Sequence, residues 1–80
     1  MNDIHFEIEN LLFDVRVAAV LVKDGKILVQ RDREGNEYAL PGGHVRIGET
    51  TSDALIRELK EETGAEIRCL RLLWTEECFF

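Results

Sequence analysis

One stretch of this chain reads as a helix, with a start and a stop written into it, and the rest must be arranged around it. From Ala54 to Thr63 there is no glycine or proline, and the residues are mostly good helix formers. Thr50 or Thr51 is suited to cap the start, and Asp53, three residues after Thr50, makes a weak capping box. The helix then runs to Glu62 or Thr63, where Gly64 is placed to end it in a left-handed conformation.

Everything upstream is patterned for strands. Ile4, Phe6 and Ile8 alternate with polar residues as in a short edge strand. Residues 15–22 are rich in β-branched side chains and read as one buried strand. Asp24-Gly25 is a hairpin turn signal, and residues 27–30 form the returning strand. Residues 32–37 are a polar loop, residues 38–40 are extended again, and the segment 66–80 reads as a last strand. One helix among several strands is a mixed α/β fold. With 80 residues there is room for a single domain, near the size where one core gives marginal stability.

Charge narrows the function. Sixteen acidic residues against ten basic ones give a net charge of −6. Unaided binding to nucleic acid or to an anionic membrane needs clustered Lys and Arg, so neither is expected. An acidic protein can handle phosphates only with a metal cation between them. No apolar run is long enough to span a membrane, and the acidic start Met1-Asn2-Asp3 leads into no signal-peptide core. Cys69 and Cys78 lack ligand spacing and are expected as free thiols, in a cytoplasmic protein.

The helix itself carries the chemistry. At the helical period, Glu58, Glu61 and Glu62 share an arc of about 100°, with Leu55 and Leu59 beside it to anchor the helix on a sheet. Like charges at these spacings repel by about a few tenths of a kcal/mol per pair. Two of them also lie in the last turn, where the helix dipole disfavours negative charge. A bound divalent cation relieves both penalties, and an all-oxygen ligand set selects Mg²⁺ or Mn²⁺. The competing reading of the helix alone is a solvated acidic face. Gly43-x4-Gly48-Glu49-Thr50 has the outline of a P-loop but carries Glu where the phosphate-binding Lys must be, so that reading is rejected.

The segment Gly43-x5-Glu49-x7-Arg57-Glu58-Leu59-x-Glu61-Glu62-x-Gly64-Ala65 resembles the signature of the Nudix hydrolase family, and the Leu40-Pro41-Gly42-Gly43 lead-in is also usual there. Ala65 is the one soft departure, smaller than the usual apolar residue. The resemblance covers most of residues 13–75. It implies a Nudix-type mixed β-sheet with the catalytic helix packed on it, a partial α/β/α sandwich. It also implies metal-dependent hydrolysis of a nucleoside diphosphate linked to another moiety. By position, Glu58, Glu61 and Glu62 would be metal ligands for Mg²⁺ or Mn²⁺, with the Gly42 carbonyl an additional one. Arg57 and Glu49 would form an ion pair that orients the helix. Glu61 or Glu62 is the candidate general base. His44, Arg31 and Arg33 are candidates to touch the nucleotide-type substrate.

Complete domains of this family are longer, so residues 1–80 are expected to be one Nudix-like domain lacking its C-terminal part. An open sheet edge after Trp74-Thr75, with Phe79-Phe80 exposed, favours a homodimer. The alternatives to a working hydrolase are a catalytically inactive Nudix fragment and a module that binds a nucleotide as a sensor.

Overall fold

The computed structural model describes residues 2–78. Among these residues eight short strands precede one helix, α1, at Thr51–Thr63. The strands pair as four antiparallel two-stranded ladders, and α1 packs on the ladder formed by β3 (Arg16–Ala18) and β8 (Gly42–His44). The expected α/β class holds.

Local sequence explains most of these elements. β4 (Val22–Lys23) and β5 (Lys26–Ile27) are joined by Asp24-Gly25, both with positive φ, which matches the right-handed twist of a tight hairpin. β6 (Gln30–Arg31) and β7 (Tyr38–Ala39) close the polar loop 32–37, where the Asp32 carboxylate accepts from the Asn36 amide at 2.8 Å. Thr50 is the N-cap of α1: its hydroxyl accepts from the Asp53 amide at 3.1 Å. Gly64 ends the helix at φ 75°, its N–H bonded to the Lys60 carbonyl at 2.9 Å.

A second hairpin was not foreseen beyond its first strand. β1 (His5–Ile8) pairs with β2 (Leu11–Asp14) across Glu9-Asn10, both in the left-handed region. Phe6 and Phe13 stack across it with ring centroids 5.2 Å apart. Its base is tied in by a closed ring of three backbone hydrogen bonds. Ile4 donates to the Val45 carbonyl (2.7 Å), Val45 to Val15 (3.0 Å), and Val15 to Ile4 (3.0 Å).

The core is small and one-sided. Ala19, Pro41, Gly43, Val45, Ala54 and Leu59 are the buried residues among those described. Leu59 is 0% exposed, while Leu55, its expected partner in anchoring the helix, is half-buried. The stretch 15–22 is therefore not one buried strand but two elements, β3 and β4. Along it Val15, Val17 and Ala19 turn inward while Arg16, Ala18 and Val20 face outward. The period-2 alternation marks a ladder that a helix covers on one face only.

The expected last strand is also corrected. Residues 64–78 form no helix or strand, and Leu70, Leu72 and Trp74 are exposed. Extended backbone becomes a strand only when a neighbour takes its hydrogen bonds, and among the described residues this segment has no such ladder. The sheet edge expected after Trp74-Thr75 is thus not formed. Phe79 and Phe80 lie outside the described residues.

Candidate active site

β8 brings the glycines of the motif under the helix. A Cβ on Gly42 would lie 1.9 Å from the Val17 carbonyl oxygen, so only glycine lets β8 approach β3 this closely. At Gly43 the neighbour is different: a Cβ there would meet Glu58 Cδ at 2.5 Å and both carboxylate oxygens at 2.7 Å. The Glu58 carboxylate is thus seated on bare backbone, with 16% of its side chain exposed.

β8 then enters a turn at residues 46–49. The Glu49 amide donates to the Arg46 carbonyl at 3.0 Å, and Gly48 takes φ 87°, as the third residue of a type II turn requires. The turn curls Glu49 back so that its Oε1 accepts from the Arg46 amide at 2.9 Å. A depression of about 240 Å³ is lined by Arg46, Ile47, Gly48 and Glu49.

Arg57 organises the cluster. Its Nε donates to Glu49 Oε2 at 2.6 Å and its Nη2 to Glu49 Oε1 at 2.9 Å, a two-pronged pair. Nη2 also donates to the His44 carbonyl at 3.0 Å, while Nη1 reaches Glu58 Oε1 at 2.9 Å and Glu61 Oε2 at 3.4 Å. The bonds from Arg57, then that from the Arg46 amide, hold the Glu49 carboxyl at about 2, well below its ordinary 4.5. Reciprocally, Glu49 foremost and then Glu58 push the Arg57 guanidinium further toward its charged form.

Of the sequence-predicted residues, Glu49, Arg57, Glu58 and Glu61 come together here. Glu61 is 51% exposed and also lies 3.7 Å from Arg46 Nη2. Glu62 stands apart from Arg57 and instead accepts from the Gln30 side-chain amide on β6. Gly42 sits in β8 opposite Ala18. The His44 ring is engaged by aspartates rather than by these glutamates, its Nε2 3.1 Å from Asp14 Oδ1. Arg31 is on β6 and Arg33 in the polar loop, both exposed. Sequence reading missed Gln30 and Arg46. Neither has a telltale spacing, because each reaches its glutamate through the tertiary fold.

Glu58, Glu61 and Glu62 offer only oxygen atoms, the donor type that a hard divalent cation takes. Glu49, Glu58, Glu61 and Glu62 against Arg46 and Arg57 leave a local excess of negative charge for such an ion to offset.

Comparison with known proteins agrees with this geometry. The chain is 48% identical over 54 residues to an ADP-ribose pyrophosphatase of Methanocaldococcus jannaschii, covering 62% of this chain and 31% of that protein. It is 44% identical over 54 residues to the CTP pyrophosphohydrolase of Escherichia coli, covering 62% and 40%. It is 41% identical over 56 residues to the 8-oxo-dGTP diphosphatase of Haemophilus influenzae, covering 62% and 41%. The chain thus spans less than half the length of these relatives. No solved structure matches it at comparable significance. The NUDIX domain family model matches residues 12–80, a span that takes in the Gly42-Gly43 strand, the turn that curls back Glu49 and the whole of α1. On that match the chain belongs to the Nudix family.

Proposed function

We infer that this chain carries the metal-binding helix of a hydrolase that cleaves the phosphoanhydride of a nucleoside diphosphate linked to another moiety. The observation that carries the reading is the seat of Glu58 on Gly43, held by an Arg57 that is itself clamped to Glu49. A carboxylate fixed against backbone, with two more on the same helix, supports reading this face as hard donors rather than as a solvated one.

Glu58, Glu61 and Glu62, with the Gly42 carbonyl, would hold Mg²⁺ or Mn²⁺. Bound there, the cation would offset charge on the bridging phosphates and acidify a water. The chain's own contribution is positioning. Arg57 and Glu49 fix the helix against the 46–49 turn and keep Glu49 ionised. Glu61, exposed and held only at longer range, is the carboxylate freest to accept a proton from an attacking water, and Glu62 is its alternative. Arg31 on β6 and Arg33 in the loop after it are exposed positive charges that would meet the substrate's phosphates. His44 contributes through its backbone, since its ring is engaged elsewhere. The net charge and the unbridged Cys69 and Cys78 support a small nucleotide substrate and a cytoplasmic setting.

The test is product release from ADP-ribose, CTP and 8-oxo-dGTP with Mg²⁺ or Mn²⁺, with Glu62→Gln in parallel. Metal-dependent turnover that Glu62→Gln abolishes is the expected result. Nucleotide binding without turnover would move the reading to a sensor module, and neither binding nor turnover to an inactive fragment.

A further inference from the structure

A second group of metal-ligating side chains lies on the other side of residue 44. His5, at the start of β1, Asp14, at the end of β2, and His44, at the end of β8, converge from three separate segments. Their ligand atoms, one from each residue, all lie within 4.8 Å of one another. Asp14 Oδ1 is the common point: His5 Nδ1 contacts it directly, and His44 Nε2 lies 3.1 Å away. The two imidazoles meet edge to face, with centroids 5.0 Å apart and planes at 77°.

Two features show that this convergence is built rather than incidental. The first is the ring of backbone hydrogen bonds joining Ile4, Val15 and Val45. Each member is the immediate neighbour of one of the three side chains, so the ring fixes the spacing of all three Cα atoms before any side chain is placed. The second is Asp3, whose Oδ2 lies 3.8 Å from His44 Nδ1. With a metal on Nε2 in place of the Asp14 contact, the imidazole proton would sit on Nδ1, the nitrogen that faces Asp3. Asp3 thus stands on the side where a metal-bound histidine keeps its outer-sphere partner. Two imidazoles and one carboxylate are borderline donors, unlike the all-oxygen set on α1.

We propose that His5 Nδ1, Asp14 Oδ1 and His44 Nε2 form a binding site for a divalent transition metal of the Zn²⁺ type, with solvent in the remaining position. The site fastens the β1–β2 hairpin to β8. It is chemically distinct from the α1 carboxylates and adjoins them through residue 44, whose carbonyl accepts from Arg57. The proposal does not depend on the hydrolase reading.

The test titrates Co²⁺ into the 80-residue chain with Mg²⁺ in excess, so that oxygen-only sites are filled, and follows visible d–d absorption. One equivalent is expected to bind and to be displaced by Zn²⁺. His5→Asn should weaken binding by about 100-fold and Asp3→Asn by about tenfold, while Glu62→Gln leaves it unchanged. Should His5→Asn fail to fold, the side-chain ¹⁵N resonances of the unaltered chain decide the matter. Addition of Zn²⁺ should shift Nδ1 of His5 and Nε2 of His44. Co²⁺ absorption removed by Mg²⁺ or lost in Glu62→Gln, or histidine nitrogens that Zn²⁺ leaves unmoved, would overturn the site.

Discussion

Arg57 grips Glu49 through two parallel hydrogen bonds, Nε to Oε2 at 2.6 Å and Nη2 to Oε1 at 2.9 Å, and so locks the second turn of α1 to the turn that precedes the helix. Lysine carries the same charge without the fork. Arg57→Lys is therefore expected to lower turnover by about 10- to 100-fold with the helix retained, as measured by steady-state rates beside far-ultraviolet circular dichroism. Turnover equal to that of the unaltered chain would remove the clamp from the mechanism.

The same pair sets a pH dependence. The Glu49 carboxyl is held at about 2 when folded and 4.5 otherwise. A depressed folded value means that the stabilisation is fully present above about 4.5 and is lost as pH falls toward about 2. The stability difference between the unaltered chain and Glu49→Gln, read by denaturant melts, should be constant above pH 4.5 and shrink below it. A difference that grew on acidification would contradict the pairing.

Two adjacent glycines should fail in different ways. A Cβ on Gly42 meets the Val17 carbonyl, which is backbone and cannot yield, so Gly42→Ala should disrupt the β3–β8 ladder and lower Tm sharply. The atoms nearest a Cβ on Gly43 are the end of the Glu58 side chain, which can swing aside. Gly43→Ala should keep the fold while displacing Glu58, weakening Mg²⁺ affinity about tenfold or more by calorimetry.

Leu59 is fully buried at the centre of a small core. Leu59→Ala is expected to cost about 2–5 kcal/mol. A chain of 80 residues holds roughly 4–12 kcal/mol in all, so thermal melts should show a substantial unfolded fraction well below the original Tm.

The Glu9-Asn10 turn carries two non-glycine residues at φ 51° and 65°. Replacing them with Asn-Gly suits the same turn, and the double variant should raise Tm by a few degrees, in line with about 1 kcal/mol of relieved strain.

What could be read in advance was what local chemistry determines. The Thr50 cap, the Gly64 stop and the Asp24-Gly25 hairpin depend on residues a few positions apart, and all three form as the sequence predicts. The β1–β2 hairpin escaped because its turn uses Glu9, a residue that carries no turn signal, in a conformation that glycine or asparagine usually takes. Residues 66–78 have the apolar composition of a strand, yet strand formation depends on a partner that composition does not encode. At the candidate site, the helix period placed the glutamates on one face, but only the fold separates Glu58, seated on Gly43, from Glu62, bonded to Gln30. The gathering of His5, Asp14 and His44 had no linear trace, since His5 and Asp14 meet across the β1–β2 ladder and His44 joins them from the β3–β8 ladder.

The seat of Glu58 also bears on the order in which the molecule assembles. Helix α1 and its caps involve only neighbouring residues and can form within the time of a local transition. Gly43, however, reaches its place only when β8 finds β3, a contact between distant parts of the chain whose loop must close first. The three glutamates of the helix are thus set by local contacts, whereas the seat that orders Glu58 among them waits on the long-range pairing of β8 with β3.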